Sequence, residues 1–396
     1  MQKLIYFKRI GIEIDPLLLG SVEANLYQRL NDFIVEEILP NGMCNTRVEN
    51  LQQHFDLSKK YIHATLVKRG ISTIDACSII AQKNNLDVDD ITYCGLKDTF
   101  GFTAQRICIP NKGKLKRTRF SRLFLKEFKG SNKRLKARDN KGNHFVVKVR
   151  RIFDHSNKLT ELLNNFQGTI PQILPNFYGP QRFGQRQNNH ILGKLLLKKK
   201  YKKFIVRFLT DTNSNEAERI QKVRHKIKKN MGDWYKCKKI LQQIKNLNDE
   251  KQLINNLITM KNEVAAIRKI EISHLYIHSV SSYLFNQALS QYIKENKKTR
   301  NITIEKIGAN TKFNKINSSL YLPIMKKEQI KLSDFDTPYR EFCVHGHPRK
   351  AFFCPKNLNI QADPKNIILS FDLATGEYAS LFLDFIFNSR SGIKLN

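Results

Sequence analysis

Residues 61–109 read YIHATLVKRGISTIDACSIIAQKNNLDVDDITYCGLKDTFGFTAQRICI, and this stretch decides the fold. Tyr61 to Lys68 carries the β-branched and aromatic residues that suit a pleated surface and predicts a strand. Ser72, with Asp75 three residues on, resembles a capping box that opens a helix running to about Asn84. Ile91 to Cys94 is a short apolar strand that ends at Gly95, and Ala104 to Ile109 alternates as another. Between these two strands Gly95-Leu96-Lys97-Asp98 makes a strand-end turn. Strands and a helix alternating in this way predict a mixed α/β layer structure.

Farther along, Gly142-Asn143 precedes a segment in which Phe145, Val147 and Val149 alternate with His144, Val146 and Lys148, so another strand is expected there. From about Lys194 the character changes. Lys194 to Lys203 is dense in lysine, and Arg219 to Lys245 mixes Ile, Val and Leu at helical spacing with many cations. A separate helical region follows from this pattern. His274 to Lys294 places Leu275, Ile277, Val280, Leu284, Phe285, Ala288, Leu289 and Ile293 on one stripe, which fits a single amphipathic helix packed on a core. After Arg349 the chain returns to strand and helix: Ile367 to Leu373 is extended, Thr375-Gly376 turns, and Tyr378 to Phe387 is a helix.

The chain has 396 residues, with 69 Lys and Arg against 35 Asp and Glu, giving a formal net charge of +34. Such an excess excludes most neutral metabolic enzymes and points to a polyanion, because each neutralised phosphate releases a counterion. Nucleic acid is the first reading, although ribosomal and histone-like proteins are equally basic. A hydrophobic content of 41% supports packed cores in two or three domains. No apolar run is long enough for a membrane span, and the first residues carry Lys3, Lys8 and Arg9 without a signal-like block. A soluble, cytoplasmic protein with no membrane partner is therefore expected. The seven cysteines are odd in number and form no CxxC pair, which favours reduced thiols in cores.

Lys112 to Arg138 holds twelve Lys or Arg and one acid, Glu127, interleaved with Phe120, Phe124 and Phe128. The cations suit phosphates and the rings suit bases, but a basic segment whose phenylalanines face the core has the same pattern. Both readings stay open. Cys343, His345, His347 and Cys354 raise the question of a metal. Pro348 interrupts the run and the spacing is not that of common zinc sites, so no metal is expected. Asp98 follows a strand and a glycine in an acid-poor chain; alone, it reads as a turn cap.

Company changes that reading. Asp32-Phe33-Ile34-Val35-Glu36-Glu37, Gly95-Leu96-Lys97-Asp98 with Thr103-Ala104-Gln105, Gly142-Asn143-His144-Phe145, and Asn176-Phe177-Tyr178-Gly179-Pro180-Gln181-Arg182-Phe183-Gly184 occur in this order. His278 to Asn286, Arg349-Lys350-Ala351, and Phe371 to Leu383 with Gly376-Glu377-Tyr378-Ala379 extend the series almost to the C-terminus. Together they resemble the TruD family of pseudouridine synthases. The resemblance implies an α/β (α+β) pseudouridine synthase catalytic domain, a mixed sheet flanked by helices. It also implies a largely helical family-specific insertion. The catalytic domain would occupy 1–200 and 349–396, and the insertion 201–348.

The resemblance further implies isomerisation of a uridine to pseudouridine in tRNA, known in the family for position 13, with no cofactor and no metal. Asp98 matches the catalytic aspartate, a carboxylate that attacks carbon and then leaves. Phe33, Asn176 and Tyr378 would line the uridine, and Lys97, Tyr178, Arg182 and Arg349 stand in the same motifs as substrate-binding candidates. Two departures stand out. Tyr27 occupies the place where a family lysine is expected, so a cation for Asp98 must come from elsewhere. Asn176-Phe177-Tyr178-Gly179 replaces the usual Asn-Tyr-Phe-Gly, so Tyr178 brings a hydroxyl. Two rivals remain: a non-catalytic RNA-binding or RNA-chaperone protein on the same fold, and a metal-dependent nuclease, for which the motifs supply too few carboxylates. The oligomeric state stays open, with a monomer favoured.

Overall fold

The structure is a computed structural model that describes residues 2–13, 22–47, 58–113, 115, 118–137, 139–150, 173–213, 216–245, 247–270, 273–295, 301–363 and 366–389. These residues form two compact units. One comprises the N-terminal helix Gln2–Arg9 together with Pro175–Phe353; the other runs from residue 22 to Leu174 and resumes at Cys354. In chain order the strands are β1 (Val22–Ala24), β2 (Phe33–Leu39), β3 (Gly42–Met43), β4 (Tyr61–Arg69), β5 (Thr92–Tyr93), β6 (Phe102–Pro110), β7 (Leu123–Ser131), β8 (Gly142–Arg150), β9 (Leu174–Pro175), β10 (Thr303–Lys306), β11 (His347–Lys350), β12 (Phe352–Phe353), β13 (Lys356–Asp363), β14 (Asn366–Ala374) and β15 (Phe387–Ser389).

The second unit is built on one sheet in the order β13-β14-β8-β2-β6-β4-β7, with β3 added to β2 and β5 to β6. β2 and β6 run parallel while the other neighbours are antiparallel, so the sheet is mixed, as the motifs imply. Strand β4 is buried on both faces, with Ala64, Thr65, Leu66 and Val67 wholly inside. Ala64 and Leu66 meet Ala76, Cys77, Ile80 and Ala81 of the helix Thr73–Asn84, and Val67 joins Ala104 and Cys44 on the other side. That helix begins as its sequence dictates: the Ser72 side chain accepts from the Asp75 backbone N–H and donates to the Asp75 carboxylate. A second helix, Ala379–Ile386, lies on β14 through Phe382 and Phe371, whose rings are 4.5 Å apart.

Directly opposed residues share a face of a sheet. The register therefore sets Lys68 of β4, Thr103 of β6, Val35 of β2, Phe145 of β8 and Phe371 of β14 in one row across a single face. Phe145 stacks on Phe371 at 5.4 Å and meets Phe33 at 6.0 Å. Gly142 starts β8 where no side chain fits, since a Cβ there would lie 2.1 Å from the Leu373 carbonyl oxygen. The Gly-Asn-His-Phe motif is thus a packing motif at its glycine and its phenylalanine.

The helical unit is organised on Ser273–Glu295; the His274–Lys294 stripe located this helix, but it is not the amphipathic one expected, since 15 of its 23 positions are buried, Ser279, Ser281, Ser282 and Asn286 among them, because other elements cover it on several sides. Asn189–Leu197 packs along it, Lys315–Glu328 lies against it, and the shorter helices Tyr201–Thr210, Glu218–Lys229, Trp234–Gln242, Asn248–Met260 and Glu263–Arg268 complete the unit. Buried Arg224 donates to Glu216 and Glu250, tying these shorter helices together. The contact boundary falls at 174/175 and 353/354, whereas composition and motifs suggested 201 and 348. The cause is packing: Asn189–Leu197 sits on the long helix, and β11 pairs with β10, so these flanking segments join the helical unit. No described helix is long and apolar enough to cross a membrane.

Candidate active site

The Asp98 turn is held in place from three sides. Gln105 of β6 donates from Nε2 to the Gly95 carbonyl at 3.0 Å, while its Oε1 accepts from Thr73 Oγ1 at 2.8 Å. The same Thr73 hydroxyl accepts from the Lys97 backbone N–H at 3.1 Å. Thr103-Ala104-Gln105 follows Gly95-Leu96-Lys97-Asp98 in the sequence because Gln105 reaches back to hold the turn. Beyond Asp98 the chain closes onto β2 at Gly101, whose φ is +138° and whose Cβ, if present, would stand 2.8 Å from the Phe33 carbonyl oxygen. Only glycine tolerates this approach, and it brings Phe33 beside the Asp98 loop.

Lys97 and Lys68 divide the charges of this site. Lys97, a candidate for substrate contact, turns its ammonium inward to Glu37, 2.6 Å away in an ion pair with side chains 5% and 0% exposed. The other Glu37 acceptor sites take the Arg106 backbone N–H at 2.9 Å and the Asn140 amide at 3.2 Å. A buried carboxylate met by this many donors is a structural element. Lys68, which no motif singled out, is 1% exposed at the end of β4. Its ammonium donates to the Asp98 carbonyl at 2.7 Å, the Ile71 carbonyl at 2.8 Å and the Lys97 carbonyl at 3.4 Å.

Burial pushes the Asp98 carboxyl above the ordinary carboxylate range, and the nearby charge of Lys68, followed by that of Lys97, draws it back. Burial likewise lowers Lys68 to about 8, against the opposing pull of Asp98. Tyr27, which stands where a lysine was expected, has a left-handed backbone with φ at 58°. Its ring meets Phe33 edge-on at 5.0 Å. Burial raises its hydroxyl far above the normal tyrosine value, with Asp384 and Asp98 adding to the shift, so it stays protonated. Tyr378 is the N-cap residue of Ala379–Ile386, and its carbonyl accepts from the Phe382 N–H.

The helical unit gathers the remaining candidates by itself. Asn176 Nδ2 donates to the Lys350 carbonyl at 3.0 Å, and Asn176 N donates to Ala351. Arg349 donates from Nε to the Asn176 carbonyl at 3.1 Å and from its terminal nitrogen to Asn176 Oδ1. The Asn176 amide oxygen is thereby engaged within the unit. Tyr178 is fixed through its backbone by Asn286, which accepts from its N–H at 2.8 Å and donates to its carbonyl at 3.0 Å. Three cations approach the Tyr178 ring: Arg349 at 4.2 Å, Arg182 at 5.6 Å and Lys306 at 5.8 Å. Lys306 is 2% exposed and donates to His278 Nδ1 at 3.1 Å. His278 is pushed down to about 3 by burial and then by Lys306, so it is neutral and can accept.

A family model described as tRNA pseudouridine synthase D (TruD) matches residues 17–305 and 296–384. The chain belongs to the TruD family. It is similar to "Probable tRNA pseudouridine synthase D 1" of Methanococcus maripaludis, with 26% identity over 91% of this chain and 98% of that protein. A relative from Nanoarchaeum equitans is 32% identical over 60% of each. The crystal structure of a Methanosarcina mazei chain described as TruD superposes with a TM-score of 0.70 at 22% identity, covering 96% of this chain and 97% of the other. Family membership supports pseudouridine synthase activity on RNA, an isomerase chemistry.

Within this TruD protein the other sequence candidates resolve as follows. Phe120 and Phe128 are partly buried against the core beneath the helix Thr73–Asn84, and Phe124 is partly buried against Val67 and Ala104, so each phenylalanine of the basic segment has one side on the core. Lys126 is buried and donates to Asn45 and to the Arg47 carbonyl, whereas Lys129, Lys133 and Lys136 are exposed. Cys343 and His345 lie in a loop and only His347 begins a strand. Among the described residues no group of three potential ligands is placed to hold a metal.

Proposed function

We propose that the protein converts a uridine of tRNA, at position 13 by family likeness, to pseudouridine with Asp98 as the nucleophile. The observation that carries this reading is the anchoring of the Asp98 turn by Gln105, Thr73 and Lys68. A carboxylate on a preorganised turn keeps its geometry while bonds to carbon form and break. The N1–C1′ bond of the nucleoside breaks, C1′ joins C5, the C5 hydrogen leaves as a proton and N1 takes one up. Asp98 attacks either C1′ or C6 and is released unchanged, so the reaction needs no redox partner and no nucleotide. The base must leave its stack to expose C5, and the faces of Phe33 and Tyr378 offset part of that cost. Family likeness, and not any placement of one unit against the other, assigns Asn176 to the uracil and Arg182 and Arg349 to the RNA. The reading places this chemistry in the cytoplasm.

The test is tritium release from tRNA carrying C5-labelled uridine, with purified protein and chelator present. Release in proportion to pseudouridine formed is the expected result. Tight tRNA binding with no release from several unmodified tRNAs would instead support the non-catalytic RNA-binding reading, and release abolished by chelator would support the metal-dependent class.

A further inference from the structure

We propose that Lys68 is the positioning cation of Asp98, taking over from the far side of the turn the task that a lysine at position 27 would perform. The proposal rests on Asp98 being the nucleophile. Tyr27 brings no charge, and Lys97, the neighbour in sequence, is committed to Glu37. Lys68 is the cation that reaches the turn from the sheet. It stands in a face row whose other members, Leu123, Thr103, Val35, Phe145 and Phe371, carry no charge. Its three acceptors among the described residues are all backbone carbonyls, of Ile71, Lys97 and Asp98, and none of them is an acid. A buried ammonium without such an acid is costly, and the carboxylate of Asp98, though not in a direct ion pair with it, opposes that cost through its field.

Two jobs follow from this geometry. The ammonium fixes the backbone of the turn on both sides of the Lys97–Asp98 peptide, and its field favours the ionised form of Asp98. Other groups that act on the pair are Lys97 on the turn itself, Cys77 on the helix Thr73–Asn84, and the protonated Tyr27. Cys77 is raised to about 12 by burial and is a neutral thiol at working pH. The charge balance of Asp98 thus rests chiefly on Lys68.

The test is the pH profile of single-turnover pseudouridine formation at saturating tRNA for wild type, Lys68→Gln and Lys68→Arg. Gln keeps N–H donors for the carbonyls but removes the charge, and Arg keeps the charge. The acid limb of Lys68→Gln should move up by roughly one to three pH units, the range by which a neighbouring cation shifts a carboxyl. In Lys68→Arg it should stay near its wild-type position. A Lys68→Gln profile lowered evenly at every pH with the limb unmoved would reduce Lys68 to a structural bolt and overturn the proposal. If that variant does not fold, carbon-13 titration of wild-type protein decides: Asp98 Cγ should show a second inflection where Lys68 Cε titrates, and its absence overturns the proposal. Wild type without any turnover, or an active Asp98→Asn, would defeat the assignment of the nucleophile, a result distinct from an unmoved limb.

Discussion

The two clusters of candidate residues are charged in opposite ways. The Asp98 turn is balanced: Glu37 pairs with Lys97 in a direct ion pair, and Lys68 holds the Asp98 backbone carbonyl while its charge acts on the Asp98 carboxylate through space. The Tyr178 cluster is cationic: Arg349, Arg182 and Lys306 approach one ring, Arg349 also holding the Asn176 carbonyl and amide oxygens and Lys306 a neutral histidine. A balanced, buried set suits chemistry at carbon, where an acid must keep a fixed position and a controlled proton. An excess of cations suits an anionic ligand whose charge completes the site on binding. The comparison divides the labour between reaction and recognition, and the variants below are chosen to break it.

The largest effect is expected at Asp98. Asp98→Asn keeps the size of the side chain and removes the nucleophile, so single-turnover formation of pseudouridine should fall by at least about 10⁴-fold. Binding of tRNA, measured by filter retention, should change by no more than about two-fold, since affinity comes mainly from phosphate contacts. A variant that retains a tenth or more of the wild-type rate would return Asp98 to the status of a turn cap and remove the chemical half of the comparison.

A smaller effect is expected in the cationic cluster. Arg349→Lys keeps the charge but loses the planar fork that holds Asn176 and covers Tyr178. KM for tRNA should rise by about ten-fold with kcat within about three-fold, the mark of an interaction made equally in the ground and transition states. A loss confined to kcat would show that this cluster takes part in the reaction and that the division of labour is false.

Much of the fold was legible because its signals are local. The strand Tyr61–Arg69, the Ser72-capped helix and the long helix Ser273–Glu295 follow from periodicity and capping. The site was legible only through its motifs. Glu37 and Lys97 are 60 positions apart, and nothing in either segment announces the pair; Lys97 accordingly read as a substrate contact. Lys68 was hidden for a different reason. A lysine near the end of an apolar strand reads as a side chain reaching for water, and only the register of β4 against β6 turns it inward toward the Asp98 turn. The missing lysine at Tyr27 was visible as a gap, but the residue that fills it lies on another strand. The boundary near 201 followed a change in composition, whereas the contact boundary follows which helices pack on the long one.

The smallest effect on chemistry should come from the edge strand β7 and the loop that follows it, and it tests whether recognition extends beyond the Tyr178 cluster. Replacing Lys129, Lys133 and Lys136 together with Ser removes three exposed charges and spares Lys126, whose ammonium is buried against Asn45 and Arg47. If these lysines meet phosphates, the log-log dependence of tRNA binding on salt should flatten by roughly 0.7 to 0.9 per lost contact, and unrelated RNA should be weakened alike. The single-turnover rate at saturating tRNA should stay near wild type, because Phe120, Phe124 and Phe128 continue to pack on the core and the Asp98 turn keeps its anchors. An unchanged salt slope would mean that these cations only solvate the edge of the sheet. The electrostatic part of recognition would then belong to the helical unit, and the contrast between a balanced reaction site and a cationic recognition site would coincide with the two units of the fold.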